Sequence, residues 1–180
     1  MGTRNLTMVI DQEGETKVAQ YGQWDGYPDG VGISLLEFLR NAELFEKLKS
    51  KLKDVRFLDS KGKDKEFSES YDKNAPEWSN QADNRTPEQI KWFKNYCHRD
   101  LAEGVLKNIA ESDDEEIILI DKSEFGKDSV FCEWCYVVDL KKNQLIVYND
   151  LNSEPLKSFD LSNLPTEDEF LNEFKDDEEE

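Results

Sequence analysis

Alternating apolar and polar positions at the two ends of the chain predict β-hairpins. Residues 6–10 (LTMVI) are rich in strand-forming side chains, residues 11–15 (DQEGE) have turn chemistry, and residues 16–21 return with Val18 and Ala19. Near the other end, residues 130–140 (VFCEWCYVVDL) and 144–148 (QLIVY) flank the polar turn Lys141-Lys142-Asn143. Two hairpins of this kind indicate an antiparallel sheet.

Between the hairpins, apolar residues recur at helical spacing. Residues 33–40 (ISLLEFLR) predict a helix that Asn41 breaks or caps, followed by a second helix that runs to about Leu52. Thr86-Pro87-Glu88-Gln89 has the residue types of a helix start, with Thr as the N-cap and Pro at the first helical position. Residues 55–58 and 117–120 predict short strands. This order predicts an α+β domain, with helices packed on a sheet built from the N-terminal and C-terminal hairpins.

The predicted single domain spans residues 1–165 and includes a long polar excursion, and an acidic tail follows it. Residues 59–85 are polar and lack periodicity, so we expect a long excursion that Phe67, Tyr71 and Trp78 could pin down. Residues 166–180 carry nine carboxylates and one lysine, and we expect an acidic C-terminal tail that begins with a short helix.

The charge balance limits the class of partner. The chain has 41 acidic and 23 basic residues, for a net charge of −18, of which the tail contributes −8. An acidic body of this kind repels nucleic acid and anionic membranes and favours basic partners. No apolar run is long enough to span a bilayer, and three cysteines without a signal peptide favour reduced thiols in a cytoplasm.

The C-x-x-C sequence and the single histidine are two further candidates for catalysis. Cys132-Glu133-Trp134-Cys135 is a C-x-x-C sequence, but its place inside a predicted strand puts the two thiols on opposite faces. This placement favours packing over redox or zinc chemistry. His98 is the only histidine, so any histidine-based catalysis has to use it.

Residues 21–32 (YGQWDGYPDGVG) form the most unusual stretch, and they allow two interpretations. Glycines let a backbone approach a ligand closely. However, Asp25 and Asp29 have only Arg4 nearby, which argues against phosphate and leaves Mg²⁺ as the ligand. The other interpretation is a structural connection in which Trp24, Tyr27 and Pro28 plug the end of the sheet.

Four stretches of the chain resemble a family of small proteins from phages, prophages and bacterial mobile elements. They are MGTRNLTMVI, VAQYGQWDGYPDGVGISLLEFLR, EWCYVVDLKKNQLIVY and SFDLSNLPTEDEF. The resemblance covers about half of the chain and leaves residues 59–115 unmatched. It implies a phage setting, in which small acidic proteins often inhibit host defence nucleases, as several anti-CRISPR proteins do.

The leading hypothesis is therefore an inhibitor of a host defence nuclease that is not an enzyme and needs no cofactor. It would occupy or disturb the basic nucleic-acid-binding surface of its target, a Cas9-type effector or its guide-RNA complex. It predicts no binding to free nucleic acid or to membranes. The residues expected to contact the partner are Trp24, Asp25, Tyr27, Asp29, Asp113, Asp114, Glu115, Glu116, Asp176 and Asp177.

Two alternatives stay open. One is a Mg²⁺-assisted hydrolase or nuclease that uses Asp25 and Asp29, with Arg4 or His98 nearby. The other is a phage accessory interaction protein without a target in host defence.

Overall fold

The computed structural model describes residues 2–74, 79 and 84–175. Seven strands follow one another within these residues. They are β1 (Asn5–Ile10), β2 (Thr16–Gly22), β3 (Val55–Phe57), β4 (Ile117–Leu119), β5 (Trp134–Asp139), β6 (Gln144–Tyr148) and β7 (Lys157–Asp160). Five of them form the main sheet in the order β2-β1-β5-β6-β7, and β3 pairs with β4 in a separate two-stranded sheet.

The main sheet joins the two predicted hairpins through one parallel contact. β1 pairs antiparallel with β2, and β6 pairs antiparallel with both β5 and β7. β1 and β5 run parallel, with Asn5 opposite Trp134 and Ile10 opposite Asp139. The α+β fold class predicted from the sequence is confirmed.

The described helices lie mostly between the hairpins. They are α1 (Ile33–Arg40), α2 (Ala42–Lys51), α3 (Lys65–Asn74), α4 (Pro87–Trp92), α5 (Gly104–Ala110) and α6 (Glu167–Asn172). The Asn41 side chain caps α2 by accepting from the Leu44 N–H, and Thr86 and Gln89 form a reciprocal capping box at α4. None of these helices is long and apolar enough to cross a membrane.

Alternate residues of β5 pack into two hydrophobic cores, one on each face of the sheet. Tyr136 and Val138 join the main core between the sheet and the helices. Cys135 and Val137 face a smaller core on the other side of the sheet. The other buried members of that smaller core are Leu6, Met8, Ala19, Cys132 and Ile146.

In the described part of residues 59–85, the stretch that the sequence predicts as a long excursion, Lys65–Asn74 form α3. Tyr71 is 2% exposed, and its ring packs edge to face against Trp92 at 4.8 Å. Phe67 contacts the same indole at 5.1 Å. Two aromatic side chains one helical turn apart thus pack α3 against Trp92. Trp78 lies outside the described residues.

The boundary predicted at residue 165 does not separate the body from a tail. A capping box of Thr166 and Glu169 starts α6, and Phe170 is fully buried in the main core. The Phe174 ring packs edge to face on Trp134 of β5. The folded body therefore extends through this segment, and residues 176–180 lie outside the described residues.

The prediction that the C-x-x-C thiols point to opposite faces is wrong. β5 begins only at Trp134, so Cys132 lies on the preceding turn rather than in the strand. The turn brings its Sγ atom to 3.3 Å from the Sγ atom of Cys135.

Candidate protein-binding surface

The loop of residues 21–32 is tightly bound to the rest of the protein by its backbone. It contains a single π-helical turn, Pro28–Gly32, which leads directly into α1. The Gly26 N–H donates to the Thr3 carbonyl at 3.1 Å, and the Val31 N–H donates to the Asp25 carbonyl at 2.8 Å. These bonds satisfy the backbone groups of the loop within the protein and tie the loop to the N-terminal segment.

Two of its glycines are required by close backbone approach. A Cβ atom at Gly30 would lie 2.3 Å from the Asp25 carbonyl oxygen, and one at Gly26 would lie 2.8 Å from the Thr3 carbonyl oxygen. Asp25 itself has a φ of 52°, a left-handed conformation that is unfavourable for most residues with a side chain. The composition that made the stretch unusual is therefore what its backbone path requires.

Tyr136 of β5 supports the loop from below. Its hydroxyl donates to the Gly26 carbonyl at 2.8 Å, and the residue is fully buried. Burial raises the pKa of this phenol well above its ordinary value, so it remains a hydrogen-bond donor. No local sequence signal could have assigned this role, because it depends on the pairing of β1 with β5.

The loop presents two aromatic and two acidic side chains to solvent. Trp24 is 48% exposed and Tyr27 is 54% exposed, and the carboxylates of Asp25 and Asp29 are exposed beside them. We call these four side chains the loop platform. Among the described residues, neither carboxylate has an ion-pair partner. Pro28 is buried, so of the three residues expected to plug the sheet only the proline is enclosed.

One edge of the loop platform is held in place by a side-chain hydrogen bond. The Trp24 indole N–H donates to a carboxylate oxygen of Asp100 at 3.0 Å. The Asp100 N–H in turn donates to Nδ1 of His98 at 3.2 Å, and the His98 ring packs on Phe93. Nothing in the sequence indicated this role for Asp100, because Asp100 lies 76 residues after Trp24 in the chain. His98 therefore helps to position the segment that holds Trp24.

Arg4 lies beside a second exposed apolar group rather than between the two aspartates. Its guanidinium stacks on the Phe131 ring at 4.7 Å, and its backbone N–H donates to the Glu133 carboxylate at 2.7 Å. Phe131 is 50% exposed, and the neighbouring Val130 is 74% exposed. Sequence reasoning assigned these two residues to a strand and missed their exposure.

The acidic run of residues 113–116 divides into two kinds of carboxylate. Asp113 and Glu115 are exposed. Asp114 accepts from the Lys91 ammonium and from the Tyr96 hydroxyl, and the hydrogen bond from Lys91 lowers its pKa. Glu116 pairs with Arg56 at 2.8 Å and with Lys63 at 3.2 Å. Two of the four carboxylates predicted to bind a partner are therefore already engaged within the protein.

Arg56 is the centre of this charged cluster. Its guanidinium donates to both carboxylate oxygens of Asp64, at 2.5 and 2.9 Å. These side chains line a half-open cavity of about 360 Å³, whose aromatic walls are Phe67, Trp92 and Tyr96. Three of its acidic groups, Asp64, Asp114 and Glu116, are paired with a lysine or arginine, so most of the acidic charge in the cavity is already neutralised.

The remaining sequence predictions concern a metal site and the acidic end of the chain. The described residues contain no group of three or more histidine, cysteine or carboxylate side chains that could hold a metal ion. The Mg²⁺-dependent alternative that uses Asp25 and Asp29 stays a prediction. Asp176 and Asp177 lie outside the described residues.

Comparisons of the chain with family models, with curated proteins and with solved structures found no match.

Proposed function

We propose that this protein is an acidic, protein-binding inhibitor of a host defence nuclease, with a Cas9-type effector or its guide-RNA complex as the target. The loop platform is the observation that carries the proposal. It combines a tryptophan and a tyrosine, two of the residue types most enriched at the energetic centres of protein interfaces, with two exposed carboxylates that have no ion-pair partner among the described residues.

Rigidity makes the loop platform suited to binding. A flexible loop loses conformational entropy when it docks, whereas this one is already fixed by backbone hydrogen bonds and by Tyr136. Trp24 and Tyr27 supply apolar area, while Asp25 and Asp29 can pair with lysine or arginine side chains of a partner.

The overall charge supports a basic partner. A net charge of −18 attracts the protein to the positively charged channel in which a nuclease holds nucleic acid. The same charge opposes binding to free nucleic acid, since phosphates and carboxylates repel each other. An inhibitor with this surface would act by occupying or disturbing the nucleic-acid-binding face of its target.

The test is to add purified protein in stoichiometric excess to a Cas9-type effector and to measure guide-RNA loading, target-DNA binding and cleavage. We expect at least one of these steps to be lost. Unchanged loading, binding and cleavage would contradict the proposed target and favour an accessory protein without a role against host defence.

The residue-level test is the Trp24→Ala variant. We expect its affinity for the target to fall by about 30-fold, which corresponds to about 2 kcal/mol, because a half-exposed indole becomes an interface anchor. The matched control is Leu156→Ala, which removes an exposed apolar side chain next to β7 at the opposite edge of the sheet. Equal affinities for the two variants would show that the loop platform is not the contact surface.

A further inference from the structure

Cys132 and Cys135 form a buried pair of thiols that the proposed inhibitory function does not use. Their Sγ atoms are 3.3 Å apart, and the residues are 4% and 0% exposed. No disulfide joins them or involves Cys97, the third cysteine. Cys97 is distant from the pair in the fold, with its thiol near the Phe93 carbonyl in the main core.

The turn before β5 creates this geometry. The Asp128 side chain accepts from the N–H groups of Val130 and Phe131, both at 3.0 Å. The Asp128 carbonyl accepts from the Cys132 N–H at 2.8 Å. These bonds fold residues 128–132 back toward the start of β5, so that Cys132 faces Cys135 instead of alternating with it.

We propose that Cys132 and Cys135 form a reversible oxidation site whose reactant is a hydroperoxide such as hydrogen peroxide. A disulfide requires the two sulfur atoms to approach from 3.3 Å to about 2.05 Å, a movement of little more than 1 Å. The turn of residues 128–132, closed by the hydrogen bond from the Cys132 N–H to the Asp128 carbonyl, already holds Cys132 beside Cys135. Intracellular disulfides of this kind are usually transient and serve catalysis or redox sensing.

The reaction has two balanced steps. First, the Cys132 sulfur attacks one peroxide oxygen, the O–O bond breaks, and the products are a sulfenic acid and one water. Second, the Cys135 sulfur attacks the Cys132 sulfur, the S–O bond breaks, and the departing hydroxide takes the Cys135 proton as a second water. The two sulfurs lose two electrons in total, and the peroxide gains them. An external dithiol reverses the bond by thiol–disulfide exchange.

The surroundings assign Cys132 as the first sulfur to react. Both cysteines belong to the smaller core, but Cys132 is 4% exposed and follows the exposed Phe131, whereas Cys135 is 0% exposed. A hydrogen bond with Cys132, together with burial, raises the pKa of the Cys135 thiol, which therefore keeps its proton until the second step. This site is independent of the loop platform, and it stands even if the proposed target is wrong.

The test treats the reduced, full-length protein with hydrogen peroxide in the absence of denaturant. The remaining thiols are then alkylated in denaturant, and the products are read by intact mass and peptide mapping. We expect two of the three thiols to be lost, with a mass loss of two hydrogens and a cross-linked peptide that contains Cys132 and Cys135. Dithiothreitol is expected to restore all three thiols.

Variants separate this pair from general oxidation. Cys97→Ser should still form the bond, whereas Cys132→Ser and Cys135→Ser should not. Because peptide mapping locates the bond in the wild-type chain, the test does not depend on the variants folding. The bond should also form about tenfold faster in the folded protein than in the urea-unfolded chain, since the fold holds the sulfurs together.

Three results would overturn the proposal. One is the survival of all three alkylatable thiols. Another is oxidation of these cysteines to sulfinic acids, seen as two added oxygen atoms per cysteine without a cross-link. The third is a slower reaction in the folded protein than in the unfolded chain, because the fold would then hinder the bond.

Discussion

The two acidic segments predicted to bind a partner differ in how their charge is used. In residues 113–116, Asp114 and Glu116 are paired with lysine and arginine side chains. In the loop platform, Asp25 and Asp29 have no ion-pair partner among the described residues and stand next to exposed aromatic rings. The first segment uses half of its carboxylates to hold the fold together, and the second leaves both available.

This difference has a local cause. The hydrogen bond from Arg56 lowers the pKa of Asp64 to about 2, and hydrogen bonds from Arg56 and Lys63 lower that of Glu116 to about 2. The cations of the acidic run come from three places: Arg56 from β3, Lys63 from the connection that leads to α3, and Lys91 from α4. Carboxylate density in the sequence is therefore a poor guide to a binding surface, because the fold decides which carboxylates meet a cation.

The largest effect is expected from Gly30→Ala, which removes the loop platform without changing a charge. The new Cβ atom would lie 2.3 Å from the Asp25 carbonyl oxygen, a contact with backbone that cannot move freely. We expect a loss of about 3 kcal/mol in the free energy of unfolding, measured by urea denaturation. Gly104→Ala is the control, because its Cβ atom would meet nothing within 4 Å and should be neutral or slightly stabilising.

The next effect in size tests the charged cluster. Arg56→Met leaves Asp64, whose side chain is 11% exposed, without its cation, and should lower the free energy of unfolding by about 2 kcal/mol. Lys53→Met, at an exposed position one residue before Asp54, should leave stability unchanged. If the two variants were equally stable, the cluster would not contribute to the fold.

The same cluster predicts an acid-sensitive part of the stability. Because the folded pKa values of Asp64 and Glu116 are lowered to about 2, their stabilisation is complete above the unfolded values of about 4 and is lost as the pH falls from about 4 to about 2. Asp64 accounts for at most about 2.5 kcal/mol of this loss. Urea denaturation between these pH values should show a steeper decline for the wild-type chain than for Arg56→Met. If the free energy of unfolding fell equally with pH in both proteins, the pairs of Arg56 with Asp64 and Glu116 would not be the cause of the acid sensitivity.

The smallest effect on stability is expected from Asp29→Asn. The carboxylate is exposed and has no ion-pair partner among the described residues, so the free energy of unfolding should change by less than about 0.5 kcal/mol. Glu116→Gln is the contrasting variant, and it should destabilise the protein measurably because it weakens the pairs with Arg56 and Lys63. If Asp29→Asn lost more stability than Glu116→Gln, then the carboxylate of the loop platform, and not that of residues 113–116, would be the one that stabilises the fold.

Local patterns predicted the local elements well. Alternation predicted both hairpins, and the Thr86 and Asn41 side chains cap helices where their residue types indicate. These features depend on neighbours within a few residues, so the sequence carries their signal directly.

Most of the features that the sequence did not predict depend on distant contacts. α3 packs through Phe67 and Tyr71 on Trp92 of α4. The Cys132–Cys135 contact is instead local, and it was missed because the predicted strand began at residue 130 whereas β5 begins at Trp134. The loop platform also depends on distant contacts. Its glycines and aspartates marked it as unusual, but which side chains it exposes is decided by contacts with Thr3, Asp100 and Tyr136.

The place of β5 in the sheet has a consequence for synthesis of the chain on the ribosome. It is the middle strand of the five, yet it spans residues 134–139, long after β1 and β2 have been made. Until then, the edge of β1 that later pairs with β5 has no strand beside it, and unpaired edges invite pairing between chains. Nascent chains that stop before residue 139 should therefore be the forms most prone to aggregate, and the sheet should complete late and slowly.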